Sequence, residues 1–545
     1  MFAGSAVGVV LARLGVRQIF GVLGGGNFLP VQAMHDAGCA YLPARQESAA
    51  VAMAAGYARA TGGLGLCSIH YGPAVVSALL GITEAAHRDS PVLIITGYLP
   101  TETAQAEHRM LELAGATVHT VRGVDTLVRD VVDAAQAALD GNAPVVLMVP
   151  VALQGTPYDE TTMPPVELRK PTPLATPPSV DALASATDLL AEARSVLLLA
   201  GAGAVRAGAL PALHALADDL GALLCTTVRA HGAFNNSPWS LGSAGAFGHP
   251  LLPELAATAD VVIAAGASLN GWTTGHGALI GPQQRIIRID VDADRIDQAP
   301  AATVGIVADA KLTAEALRTE VRARGLPPTG VRTEALRERL ATEAWSSRVP
   351  SVEPDGAHID PRALTVALND LLAMPWTLVV DAGHFLGFAM RYFTVSDVDG
   401  LIFALDSEAC GLGLPTAIGA ALADDGRPTV LAVGDGGLLM AASELETLAR
   451  LRLPVLVLVY DDASHAGERH MFTVMGQPVD VTRFPPTDFV AIAGGYGING
   501  TTVRAEADLG PVKEWLAQPD GPFLIDAKID PTVLCDWIWS MLPTA

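Results

Sequence analysis

Two apolar runs in the last third of the chain finish on carboxylates. "TVLAVGDGG" ends at Gly434, Asp435, Gly436 and Gly437, and "PVLVLVYDDAS" ends on Asp461 and Asp462, the latter 27 residues beyond Asp435. Glycines at a strand end let ligand oxygens approach backbone N–H groups, and a following helix turns its positive end toward a phosphate. If the two runs are neighbouring parallel strands, their ends face one crevice. The carboxylates of Asp435 and Asp462, a main-chain carbonyl near Ser464 and phosphate oxygens would then suit a hard cation, Mg2+ or Ca2+. The plain alternative is a tight turn whose aspartate caps a helix. Two like charges side by side at 461 and 462 repel unless something positive holds them.

Other titratable groups stand near predicted element ends. Glu47 follows Arg45-Gln46 just before a helical stretch beginning around Ala49, and alone it reads as a helix-start carboxylate satisfied by the macrodipole. His70, in "SIHYGP", ends a strand-like run and is either hydrogen-bonded to a backbone carbonyl or a proton donor. Glu468 alone reads as a solvated first-turn helix carboxylate, with His465, Arg469 and His470 beside it as candidate substrate contacts.

Groups at strand ends require parallel sheets to position them, and the chain is patterned for such sheets. "QIFGV", "LGLCSI", "PVLIITG", "PVVLMVP", "SVLLLAG", "DVVIAAG", "RIIRIDVD", "TLVVDAG", "TVLAVGDG", "PVLVLVYDD" and "PFLIDAKID" alternate with helix-like stretches. Short Val/Ile/Leu runs, apolar on both faces and separated by helices, mark βαβ units. Proline-containing segments at 155–179 and around 325–355 break the pattern and divide the 545 residues into 1–155, 180–325 and 355–545. The expected fold class is α/β, with three doubly wound parallel-sheet domains.

Composition narrows the partners. Half of the residues are hydrophobic and 17% are charged, as in a large, well-buried enzyme. A formal net charge of −23 is repelled by nucleic acid and by anionic membrane surfaces, so neither is an expected partner. Five scattered cysteines without a CxxC pair point to neither a disulfide framework nor a zinc site. With no basic leader and no uninterrupted apolar run of about 18 residues, a cytoplasmic setting is the expectation.

Taken together, the Gly-Asp-Gly turn, the helix and strand after it, and the polar pair at 461–462 resemble the thiamin diphosphate motif of the decarboxylase and acetohydroxyacid synthase superfamily. A distant stretch, "YLPARQESAAVAMAAGYARATGGLGLCSIHYGP", resembles that family's pyrimidine-binding domain, with Arg45-Gln46-Glu47 in place of the common Arg-His-Glu. The resemblance covers essentially the whole chain. It implies pyrimidine-binding, central Rossmann-like and diphosphate- and metal-binding domains in that order, with thiamin diphosphate and Mg2+ (or Ca2+) as cofactors. By position it makes Asp435 and Asp462 side-chain ligands, Ser464 a main-chain ligand, and Gly434, Gly436 and Gly437 cofactor contacts. Glu47 would hydrogen-bond the pyrimidine ring and promote the imino tautomer that removes the thiazolium proton. Glu468 falls where pyruvate decarboxylase-type relatives carry an active-site glutamate, and His70 where a benzoylformate decarboxylase-like relative has a histidine. Those two are the expected handlers of substrate protons.

Several positions depart from the family. Asn-Asn is usual where this chain has Asp461-Asp462, and the extra charge should strengthen the demand for a divalent cation. Gly25 and Gly26 stand where decarboxylases often place an aspartate, serine or histidine. Cys410 takes the place of the bulky residue that wedges the cofactor into its bent form, with Leu412 or Met440 helping; a small buried cysteine is the plain alternative. Cys410, Leu412 and His384 complete the expected cofactor contacts. The adjacent His-His pair of pyruvate decarboxylases is missing. The expectation is a lyase or transferase that decarboxylates a small 2-oxo acid or related carbonyl compound and protonates or ligates the resulting enamine. It would work as a homodimer or homotetramer with its site at the subunit interface. One alternative is an acetolactate synthase-like carboligase with FAD in the central domain, where FAD is not expected because the "GAGAVRAG" glycines read as helix packing. The other is a non-catalytic paralogue that keeps the fold.

Overall fold

The apolar runs pair in parallel into three six-stranded sheets. The computed structural model describes residues 1–100, 102–169, 175–350, 355–372, 375–423 and 426–541. The first sheet runs Ala40–Pro43, Gln18–Gly21, Gly65–Ile69, Val92–Tyr98, Val145–Pro150, Thr117–Thr120 across its width. The third repeats that order with Leu401–Phe403, Thr377–Val380, Thr429–Gly434, Val455–Asp461, Phe523–Lys528 and Asn499–Val503. The middle sheet differs: from Val196–Ala200 the chain steps outward through Leu223–Thr226 to Ser240–Ser243, then returns to add Val261–Ala265, Arg285–Asp290 and Val304–Val307 on the other side. That is the strand order of dinucleotide-binding folds.

Central strands such as Val261–Ala265 and Val455–Asp461 are buried along their whole length, because helices cover both faces. No described helix is long and apolar enough to cross a membrane.

The first and third sheets are locked together within the chain. The helix Glu47–Thr61, capped by the Gln46 side chain accepting from the Ala49 N–H at 3.1 Å, lies against Gly413–Ala421. The backbones touch: a Cβ on Gly56 would strike the Thr416 carbonyl oxygen, and one on Gly419 the Met53 carbonyl oxygen. Gly419→Ala is therefore expected to lower stability by about 2–3 kcal/mol through overpacking, outweighing the ~1 kcal/mol that alanine gains in helix propensity. A lower urea midpoint would show it. Two buried glutamates add cross-links. Glu84 accepts from the Asp406 and Ser407 N–H groups at 2.9 and 2.8 Å, and Glu444 accepts from the Arg45 N–H at 2.8 Å, two residues before Glu47.

Candidate active site

In the third sheet the strand order reverses between Thr377–Val380 and Thr429–Gly434, and beyond their carboxyl ends lies a cavity of about 1090 Å³. Crevices at such switch points are where open α/β sheets bind ligands. Asp89 reaches the wall from the first domain, Gly203, Gly266 and Trp272 from the middle one, and Gly436 and Asp462 from the third.

Gly434 pairs with Tyr460, so Asp435 and Asp461-Asp462 leave the sheet side by side. Asp435 opens a helix of only six residues, Asp435–Met440, so the local N–H groups of the turn count for more than a long dipole. A side chain on Gly436 would meet open space, whereas Gly434 is closed by the Phe385 ring and Gly437 by Asp381 Oδ2, 2.8 Å from where a Cβ would stand. The floor thus holds one uncovered glycine where ligand oxygens can reach the backbone.

Burial, followed by the Asp462 and Asp461 charges, pushes the Asp435 carboxyl up to about 7. Among the described residues no ion pair involves Asp435. Asp462 accepts from the Ser464 N–H at 3.1 Å, Ser464 Oγ at 3.0 Å and Arg469 Nη2 at 3.1 Å; burial raises its carboxyl too. Among the described residues no three His, Cys, Asp or Glu side chains are arranged to hold a metal. Two carboxylates, one unpaired, fit a hard cation whose remaining ligands are main-chain and phosphate oxygens.

Asp461 adds to the negative charge around Asp435 but is itself answered by a cation. It lies 4% exposed, ion-paired with Lys528 on the neighbouring strand, and its Oδ1 accepts from the Ala463 N–H at 3.0 Å.

Of the other expected contacts, His384, Cys410 and Glu468 line the cavity and Leu412 does not. Leu412 is buried beneath it at the start of the helix Gly413–Ala421, and Met440 faces the cavity instead. Cys410 is exposed on the cavity side, not a small buried hydrophobe, yet partial desolvation of its thiol, followed by the Asp381 and Glu468 charges, pushes it up to about 11. His384 Nε2 accepts from the Cys535 N–H at 3.0 Å, which puts the hydrogen of the neutral ring on Nδ1. Burial, with His470 and Arg469 nearby, lowers it to about 3. Glu468 is an exposed first-turn residue of the helix Ala466–Val474 that also borders the cavity. Arg469, considered above as a substrate contact, is instead buried against Asp462 and the Pro531 carbonyl.

Glu47 and His70 are not among the residues lining this cavity. Half-buried Glu47 accepts from Ser77 Oγ at 2.6 Å. His70 Nδ1 accepts from the Gly26 N–H at 3.0 Å, a backbone N–H where a carbonyl was the alternative expected. Side chains on Gly24 or Gly26 would press into the His70 ring, at 2.8 and 2.9 Å, which explains the glycine turn. Two residues went unnoticed in the sequence. One is Lys528. The other is Asp381, wholly buried, accepting from the Ala382 and Gly411 N–H groups at 2.8 and 3.0 Å and so joining the Cys410 loop to the glycine turn. Its only signal was a carboxylate ending a strand, "TLVVD", next to the strand that ends at Gly434.

Residues 1–119 match the thiamine pyrophosphate enzyme N-terminal TPP binding domain, 183–317 the central domain, and 381–527 the C-terminal TPP binding domain. The chain belongs to the thiamine pyrophosphate enzyme family. It is 29% identical over 551 residues to the acetolactate synthase large subunit of Parasynechococcus marenigrum (strain WH8102), covering 95% of this chain and 86% of that one. It is 26% identical over 562 residues to the acetolactate synthase isozyme 2 large subunit of Escherichia coli (strain K12), covering 98% and 96%. It is also 26% identical over 533 residues to the sulfoacetaldehyde acetyltransferase of Castellaniella defragrans, covering 91% and 87%.

Proposed function

We propose that this chain is a thiamin diphosphate- and Mg2+-dependent enzyme that breaks or forms a C–C bond beside a carbonyl: it decarboxylates a small 2-oxo acid, then protonates the product or ligates it to an acceptor. The observation that carries this reading is the unpaired Asp435 beside Asp462 under an open glycine turn, in a chain of this family. The cofactor supplies a nucleophilic carbon and an electron sink. Asp435, Asp462 and the Ser464 carbonyl hold Mg2+, which Ca2+ can replace. The open backbone at Gly436, flanked by Gly434 and Gly437, faces the diphosphate, and Cys410 with Met440 packs against the cofactor. Glu47 hydrogen-bonds its pyrimidine ring. His70, its Nδ1 occupied by the Gly26 N–H, offers the hydrogen on Nε2 to substrate, and Glu468 serves as the second proton-handling group.

Glu47 and His70 do not line the cavity holding Asp435, which supports reading each site as completed by a second copy of the chain, in a homodimer or homotetramer. The working units are 1–155, pyrimidine-binding; 180–325, central; and 355–545, diphosphate- and metal-binding.

CO2 release from a panel of 2-oxo acids, with and without an aldehyde acceptor, tests the reaction; no turnover of any of them with both cofactors bound overturns it. His70→Ala and Glu468→Gln should each slow turnover on the order of a hundredfold. Wild-type rates in both would remove those roles.

An acetolactate synthase-like carboligase with FAD is the second reading, favoured by the relatives above and by the dinucleotide-type order of the middle sheet. Against it, the Gly203 N–H donates to the Gly266 carbonyl at 2.9 Å, so these glycines are already accounted for by two turns packed on each other. A flavin absorbance in purified protein decides between the two.

A further inference from the structure

Asp461 stands where the family pattern has an uncharged asparagine, and its surroundings show how that charge is accommodated. In the sheet Asp461 is the register partner of Lys528. The Lys528 ammonium binds Asp461 Oδ2, Asp526 Oδ2 at 2.9 Å and the Thr487 carbonyl at 2.6 Å. The other Asp461 oxygen accepts from the N–H of Ala463, a non-glycine residue held at φ +49°. Left-handed backbone of that kind costs about 1–2 kcal/mol and persists only where neighbours enforce it. From this turn Asp462 and Ser464 face the cavity.

An asparagine at 461 could accept the same Ala463 hydrogen through its amide oxygen without bringing charge. An aspartate there, nearly fully buried, needs a cation, because an uncompensated buried carboxylate is strongly destabilising. We propose that Lys528 is a positioning residue of the metal clamp: by neutralising Asp461 it keeps that carboxylate on the Ala463 N–H and fixes the turn that presents Asp462 and Ser464. Lys528 is needed for this only while residue 461 is charged. The proposal rests on the reading of Asp435, Asp462 and Ser464 as the metal site.

The test measures Mg2+ affinity at saturating thiamin diphosphate, from the Mg2+ dependence of the melting temperature of the full chain. Lys528→Gln should weaken Mg2+ binding roughly tenfold or more, the range seen when outer partners of metal ligands are lost. Asp461→Asn should change it less than about threefold, and adding Lys528→Gln to Asp461→Asn should cost no more than about threefold further. Lys528→Arg should stay near wild type. The same loss for Lys528→Gln with and without Asp461→Asn, or no loss at all, overturns the proposal. A purely structural role would lower the melting temperature of the Mg2+-free protein and leave the affinity alone. If Lys528→Gln does not fold, the double variant decides: binding like Asp461→Asn supports the proposal, and binding more than about tenfold weaker overturns it. A wild-type protein whose melting does not respond to Mg2+ overturns the metal-site reading itself, and the proposal with it.

Discussion

Asp435→Asn should leave a folded protein that has lost most of its response to Mg2+ and thiamin diphosphate. Asp435 is half-buried beside Asp462 and Asp461 with no cation paired to it among the described residues, so the amide relieves repulsion in the metal-free state. The variant should therefore melt no lower than the wild type without ligands. Losing a carboxylate ligand should weaken metal binding by about 2–3 kcal/mol, roughly a hundredfold. At a Mg2+ concentration about 100 times the wild-type Kd, the wild type gains about 2.7 kcal/mol from binding and the variant only ~0.4 kcal/mol. Melting curves with and without the ligands read this directly. An equal ligand-induced rise in both proteins would remove Asp435 from the metal site.

Glu47→Gln should do the reverse, keeping cofactor binding within a few-fold while lowering turnover by about 10²–10⁴, the usual worth of a positioned proton-transfer group. The glutamine keeps the size of the side chain and can still accept from Ser77 Oγ, so the start of its helix should be undisturbed. Mixing then examines the subunit arrangement. If Glu47 of one copy serves the metal of another, co-refolding inactive Glu47→Gln with inactive Asp435→Asn yields hybrid dimers with one intact site. Random pairing predicts recovery of roughly a quarter of wild-type activity. No recovery would place Glu47 and Asp435 in the same chain's site.

The buried centre of each sheet could be read from sequence and its margins could not. "DVVIAA" and "PVLVLVYD" are continuous apolar runs because helices cover both faces of those strands. Ala40–Pro43, Thr117–Thr120 and Val304–Val307 lie at sheet edges, where half of each short strand meets solvent and no apolar run is required. The proposed metal loop was legible for a different reason: glycine and aspartate at the end of a buried strand also suit a plain capped turn, and it was their joint match, with the pair at 461–462, to the family's diphosphate motif that singled them out. Asp381 and Lys528 have just as much to do with that loop, but each acts through residues remote in sequence. Lys528 meets Asp461 across 67 positions, a pairing that only the strand register reveals. Cys410 and Leu412 show the limit of reading positions in a loop, since two residues separate an exposed cavity wall from the core.

The Lys528 cluster also constrains which substitutions the sheet edge of the site can take. Lys528 holds Asp526 and the Thr487 carbonyl as well as Asp461, so a chain with lysine at 528 and asparagine at 461 leaves no charge unanswered. Losing the lysine would strand two buried carboxylates, and replacing Asp461 alone would still leave Asp526 dependent on it.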